Sequence, residues 1–212
     1  METPVAPAVA AALDALAPLF AYPSEGFALR AAEAAAALRG AAPEAAPLLD
    51  PFLLHVRDAS ASALEEGHTR TFDWSATCSL ELGWHLYGEQ YDRGAFLVAM
   101  RSRLRAVGVE EGVDLPDHVG ACLRWVARAE RAEAGVFARS AILPALARVL
   151  GGLAKDASPA AAPYAALVRA TQALVQRVAD AVPAEAGAPP PPSPYPVAGI
   201  PDACRACGED PS

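Results

Sequence analysis

Cysteine is scarce in this sequence of 212 residues, which contains four, at positions 78, 122, 204 and 207. Small disulfide-stabilised domains carry cysteine far more densely, so a disulfide framework is excluded for a chain of this size. Cys78 and Cys122 lie in apolar helical patterns, and we expect them to be small core residues. This cysteine usage is typical of a protein of the reducing cytoplasm.

Positively charged residues are also few. The sequence contains 17 Lys and Arg residues and 25 Asp and Glu residues, which gives a net charge of −8. A nucleic-acid-binding protein needs a basic surface that displaces phosphate counterions, so the composition argues against that class. The negative charge leaves two interpretations open. It could attract a basic partner, or it could simply keep an alanine-rich chain in solution.

Long apolar runs without charge or proline are missing, and we therefore expect no membrane-spanning segment. The first twenty residues are apolar, but Glu2, Asp14 and the lack of a basic segment argue against an export signal. Runs of β-branched and aromatic residues, which strands need, are few, whereas alanine, the best helix former, is abundant. The composition predicts an all-α protein.

Apolar residues that recur at helical spacing predict a single-domain bundle of about seven or eight helices over residues 1–182. A Pro-rich segment follows over 183–212, and we expect it to be a disordered, flexible tail. The predicted helices cover a stripe at 13–20, then about 25–39, 51–66, 79–88, 91–107, and stripes at 119–126, 142–153 and 164–178. Helix starts are predicted at Ser24, Asp50-Pro51, Pro116-Asp117 and Ser158-Pro159.

Motifs of common catalytic sites are absent from the sequence. It contains no nucleophile elbow G-x-S-x-G, no phosphate-binding G-x-x-x-x-G-K-[ST] and no dinucleotide-binding G-x-G-x-x-G. We therefore predict that the protein is not an enzyme and has no resident cofactor.

The pair Cys204-x-x-Cys207 is the first candidate for a metal site, but it supplies only two of the four ligands that zinc normally takes. A thioredoxin-like redox role would require a strand–helix context. His85 and Glu89, four residues apart on a predicted helix, would need a third ligand such as His118 or Glu81, brought close by folding. We predict no metal site, and we keep a metal- or redox-responsive helical protein that uses Cys204 and Cys207 as the alternative hypothesis.

The densest polar and aromatic cluster is CSLELGWHLYGEQYDRG, residues 78–94. Aromatic side chains beside acidic ones are typical of a groove that binds a peptide helix or an extended segment. For Trp84 or Tyr87 alone, helical spacing would indicate an ordinary core position. Taken together, the cluster favours recognition of another protein over catalysis.

Three segments, TRTFDW (69–74), SLELGWHLYGEQYDRG (79–94) and LPDHV (115–119), follow one another in an order that resembles the NarJ/TorD/DmsD family of molybdoenzyme assembly chaperones. The resemblance is closest to the nitrate reductase delta-subunit (NarJ-like) branch and covers about 69–126. The matching positions are Phe72, Asp73, Ser79, Leu80, Leu82, His85, Leu86, Tyr87, Gly88, Glu89, Asp92, Arg93, Gly94, Leu115, Pro116, Asp117 and His118.

This resemblance implies a cytoplasmic, all-helical chaperone without catalytic activity. Its partner would be the basic and apolar N-terminal leader of a molybdopterin oxidoreductase catalytic subunit, often a twin-arginine signal, which it would hold until the molybdenum cofactor is inserted. We expect a monomer or weak homodimer that binds no nucleic acid and does not insert into membranes. The residues implied in leader binding are Trp84, His85, Tyr87, Glu89, Asp92, Pro116, Asp117 and His118, with the aromatic helix as one groove wall and LPDHV as the other.

Overall fold

The computed structural model describes residues 3–183 except 111 and 157, and the regular elements in that range are all helical. The predicted all-α class is therefore confirmed. The α-helices are α1 Pro7–Leu16, α2 Phe27–Ala41, α3 Asp50–Asp58, α4 Ala61–His68, α5 Leu82–Tyr87, α6 Tyr91–Ala106, α7 Val119–Arg128, α8 Arg131–Phe137, α9 Leu143–Leu153 and α10 Ala161–Asp180. Short 3₁₀ or π turns extend several of them.

The longest helix, α10, forms the centre of the bundle and packs against α1, α3, α8 and α9. Its buried side consists mostly of alanine and valine, whose small volumes allow neighbouring helices to approach closely. α1 packs against α2 and α7 on the other side of the bundle. Cys78 and Cys122 are buried free thiols, as their apolar surroundings predicted.

Aromatic contacts attach the short helix α5 and helix α6 to this core. The Tyr87 ring lies 5.5 Å from the Phe96 ring, and Phe96 stacks on Phe137 at 6.3 Å. The Trp125 ring meets Phe137 edge-on at 4.9 Å. Since Trp125 and Phe137 are almost fully buried, this chain of rings holds the 78–94 segment against the bundle.

Helices α8 and α9 are continuous through a π-helical turn and form one helix, Arg131–Leu153, of 23 residues. Its length and apolarity would suffice to cross a membrane, but half of its most apolar window is buried inside the fold. The core helix of a soluble protein has the same properties, so this helix is weak evidence for a membrane span.

The single helix predicted over 51–66 is wrong, because the chain divides it into α3 and α4. Ala59 has an extended backbone (φ −85°, ψ 147°) that ends α3. The Ser60 side chain then accepts a hydrogen bond from the Ala63 backbone N–H at 3.2 Å and begins α4. Ser60 was a stronger helix-start signal than the apolar period that runs across it.

Side-chain caps are absent at three of the predicted helix starts, although α3 does begin at Asp50 with Pro51 in its first turn, as predicted. The starts of α2 and α3 carry no side-chain cap, so Ser24 and Asp50 do not have that role. Before α10, the Ser158 backbone N–H donates to Asp156 at 2.8 Å, which makes Asp156 the residue that orders this turn. The Pro-rich segment from 184 onward, with Cys204 and Cys207, lies outside the described residues.

Candidate functional site

An open cleft of about 550 Å³ lies where the TRTFDW segment meets the start of the 78–94 cluster. We call it the aromatic cleft. A π-helical turn over Thr69–Asp73 presents one side, and the residues around the start of α5 present the other. Its lining residues are Phe72, Asp73, Trp74, Ala76, Ser79, Leu80, Glu81, Trp84 and Arg93.

The LPDHV segment is joined to this region by backbone pairing. The Leu82 N–H donates to the Asp117 carbonyl oxygen at 2.9 Å, and the Val119 N–H donates to the Leu80 carbonyl oxygen at 2.8 Å. Glu81 and His118 lie opposite each other in this antiparallel bridge. Two segments more than thirty residues apart in sequence therefore form one structural unit just before α5.

The side chain of Asp117 holds the first turn of α5 in place through a hydrogen bond. Its side chain is completely buried, and Oδ2 accepts a hydrogen bond from the Gly83 backbone N–H at 2.9 Å, in the first turn of α5. Oδ1 has no hydrogen-bond partner among the described residues. Burial raises the pKa of Asp117, while the Gly83 hydrogen bond and the nearby charge of Arg93 act in the opposite direction.

The predicted groove wall made by LPDHV needs correction. Pro116, Asp117 and His118 are all buried, and none of them lines the aromatic cleft. They lie beneath α5, because the backbone pairing with residues 80–82 draws the segment inward. The opposite wall is the TRTFDW segment instead, so a role of these three residues in leader binding would have to act through α5.

The side chains of the aromatic helix and the residues that follow it lie in different environments. Trp84 lines the cleft, and its Nε1–H donates to the Ala76 carbonyl oxygen at 2.8 Å, which fixes the ring. Tyr87 is half-buried on Phe96, and burial raises the pKa of its hydroxyl. Glu89 and Asp92 are exposed beyond the end of α5 and do not line the cleft. Of the predicted leader-binding residues, the cleft therefore includes Trp84 alone.

Both histidines of the predicted site use a ring nitrogen inside the fold. His85 Nε2 lies 2.6 Å from the Ser79 carbonyl oxygen, so it must carry the proton and donate. His118 Nδ1 accepts from the Gly120 N–H at 3.1 Å and begins α7. Burial lowers the pKa of each imidazole, which favours the neutral form. No group of three or more potential metal ligands occurs within the described residues.

Of the residues that line the cleft, sequence reasoning assigned Trp84 alone to the binding site and did not include four other charged or aromatic residues with exposed or partly exposed side chains: Asp73, Trp74, Glu81 and Arg93. Trp74 is 74% exposed, unusual for a tryptophan, and it follows an aspartate at the end of a π-helical turn. Glu81 accepts a hydrogen bond from the Ser79 hydroxyl. All of these residues lie within the matching segments, but their exposure depends on tertiary packing, for which the sequence carries no local signal.

Comparison with known proteins adds no relative on which a family assignment could rest. No protein-family model matches the chain, and no curated protein is significantly similar to it.

Asp117 offers a test of how the cleft is supported. We expect Asp117→Ala to lower the free energy of unfolding by about 1 kcal/mol, because the buried Gly83 N–H loses its acceptor, an effect partly offset by removing a buried carboxyl group. Asp117→Asn keeps an acceptor oxygen and should change stability less. Urea unfolding at pH 7 measures both variants. Equal stability of the Ala variant and the unmodified chain would contradict the anchoring role.

Proposed function

We propose that the protein is a cytoplasmic assembly chaperone of the NarJ/TorD/DmsD kind. It binds the N-terminal leader of a molybdopterin oxidoreductase catalytic subunit, of nitrate reductase or a related enzyme. It then holds the unfinished subunit while the molybdenum cofactor is inserted, before export or membrane attachment. In this role the chain itself needs no catalytic group.

One observation carries the proposal. The segments that bear the resemblance are separated by as many as 20 residues in the sequence, yet they form a single unit around the aromatic cleft. The 69–74 and 79–94 segments supply its lining. The 115–119 segment supports it through the hydrogen bond between Asp117 and the first turn of α5. A shared binding surface gives a physical reason for these segments to occur together.

The surface of the cleft is better suited to binding a peptide than to catalysing a reaction. Trp74 is highly exposed and Trp84 is half-buried, so apolar side chains of a bound segment would cover surface that water now contacts. Apolar burial contributes about 25 cal/mol per Å². A micromolar complex requires about 8 kcal/mol, whereas an exposed ion pair supplies only about 0.2–1 kcal/mol. The aromatic surface must therefore provide most of the affinity, and the acidic residues orient the leader and speed its association.

Calorimetry with the synthetic leader of the cognate catalytic subunit tests the proposal. We expect a saturable heat at tens of micromolar protein and weaker binding at higher salt. Trp74→Ala should weaken binding by about 1–2 kcal/mol, since an exposed aromatic anchor is lost without disturbing the core. The matched control is Tyr91→Ala, which removes an exposed ring that does not line the cleft.

The absence of any heat or spectral change with the cognate leader would overturn the proposal. A scrambled peptide of the same composition separates leader recognition from general attraction between a basic peptide and a chain of net charge −8. If the scrambled peptide binds equally well, the chain does not recognise a leader sequence.

A further inference from the structure

One guanidinium group already lies on an aromatic ring at the edge of the aromatic cleft. The Cζ atom of Arg93 is 5.5 Å from the centre of the Trp84 ring, which is cation–π distance. Arg93 is held there from α6, and its Nε is buried without a hydrogen-bond partner among the described residues. The nearby buried carboxyl group of Asp117 provides an opposing charge for this cation. The cleft therefore already contains one example of a guanidinium group stacked on an indole ring.

A second ring in the same cleft has no such partner. Within the described residues, Trp74 makes no stacking or cation–π contact, although it lines the cleft and is 74% exposed. Two carboxylates line the cleft with it, the exposed Asp73 and the half-buried Glu81. An open aromatic face close to carboxylates has a charge that complements a cation.

We infer that the aromatic cleft contains a subsite for an arginine side chain of the bound peptide, stacked on Trp74 with Asp73 and Glu81 as its opposing charges. The inference rests on the proposed function in taking the ligand to be a peptide. It goes further in assigning a residue type to a place in the cleft and in adding Asp73 and Glu81 to the binding residues.

Arginine fits this subsite better than lysine. The guanidinium group is planar and weakly hydrated, so it stacks on an indole ring at a lower desolvation cost than an ammonium group. Its N–H groups can also donate to two carboxylate oxygens at once, whereas lysine acts as a single point charge. Arg93 on Trp84 is an example of this stacking within the same cleft.

Small amides test the subsite without any leader sequence. The chain contains three tryptophans, at 74, 84 and 125, so the indole N–H region of a ¹⁵N-labelled sample holds three signals that single Trp→Phe variants assign. We expect N-acetylarginine amide to shift the Trp74 signal in a saturable way in the millimolar range and to leave the buried Trp125 unchanged. N-acetyllysine amide should bind about two- to fivefold more weakly, and the uncharged N-acetylcitrulline amide should bind more weakly still.

Two variants and one control locate the effect. Asp73→Asn should weaken arginine amide binding about two- to fivefold, the range of an exposed ion pair. Trp74→Leu should abolish saturable shifts at Trp84, and Tyr91→Leu should leave binding unchanged. Equal binding of the citrulline and arginine amides, or no saturable shift of Trp74, would overturn the subsite. If the leader still binds in that case, only the arginine assignment fails; if the amide binds and the leader does not, the chaperone proposal fails instead.

Discussion

Lowering the pH from 8 to 5 is expected to destabilise this fold markedly, because burial lowers the pKa of every histidine in the chain. The four are His55, His68, His85 and His118. In the unfolded chain each imidazole returns to a pKa of about 6.5 and binds a proton more readily. All four therefore act in the same direction.

The sign of the effect follows from proton linkage. A lowered histidine pKa means that the unfolded state binds more protons below pH 6.5, so the stability present above that pH is lost as the pH falls. Each proton taken up on unfolding contributes a slope of about 1.4 kcal/mol per pH unit. The raised pKa of Asp117 has the opposite sign, and its effect lies between its unfolded value of 3.8 and its raised folded value.

Two of these histidines show why the charged form is unfavourable. His118 Nδ1 accepts the hydrogen bond from Gly120 that begins α7, and a proton on Nδ1 would abolish that bond. His68 Nε2 donates to the Phe20 carbonyl oxygen at 3.2 Å, while its Nδ1 is buried without a partner in the described structure. Protonation there would place a charge in an apolar, aromatic environment.

Urea unfolding at several pH values measures this linkage. His118→Asn is the most informative variant, because asparagine is a good helix-start residue and removes only the titrating group. We expect it to reduce the slope below pH 6.5 by up to about 1.4 kcal/mol per pH unit. Stability that does not change between pH 8 and pH 5 would contradict the burial of the histidines.

Local patterns were sufficient to predict much of the fold. The helix predicted at 91–107 is α6, Tyr91–Ala106, and the helix predicted to end at 88 is α5, which Gly88 follows with φ 62°. Helix propensity, apolar period and glycine stops act within a few residues, so the sequence displays them directly.

The arrangement of the candidate site was harder to predict from the sequence. The pairing of residues 80–82 with 117–119 is a long-range contact without a local signal, and it decides that Asp117 is buried and serves a helix other than its own. Pro116 and Asp117 resemble a helix start, yet α7 begins only at Val119. Tertiary pairing overrode the local pattern, which explains why a segment predicted to form a groove wall is buried beneath α5.

Glycine positions illustrate the same limit. Both Gly88 and Gly94 belong to the matching positions, but Gly88 ends α5, whereas Gly94 neither ends a helix nor permits a close contact. It lies exposed within α6, and a methyl group there would meet nothing within 4 Å. The close contact is at Gly83, where a Cβ atom would lie 2.7 Å from Asp117 Oδ2 and 3.0 Å from Phe96 Cδ1.

Gly83→Ala is therefore expected to destabilise the protein by about 2 kcal/mol and to abolish leader binding. Alanine favours a helix over glycine by about 1 kcal/mol, but the new methyl group would displace the buried carboxylate of Asp117 and break its hydrogen bond to residue 83. Overpacking and the lost hydrogen bond together outweigh the gain in propensity. Since α5 carries Trp84, a shift of this helix would also change the shape of the aromatic cleft.

Gly94→Ala provides the matched control for this prediction. The same substitution at an open helical position should raise the free energy of unfolding by about 0.5–1 kcal/mol and leave leader binding intact. Urea unfolding and calorimetry with the leader distinguish the two variants. If Gly83→Ala were as stable and as active as Gly94→Ala, the contact between Asp117 and α5 would not support the cleft. Opposite effects of the two substitutions would show that the binding surface depends on the buried side chain of Asp117, which does not line the cleft.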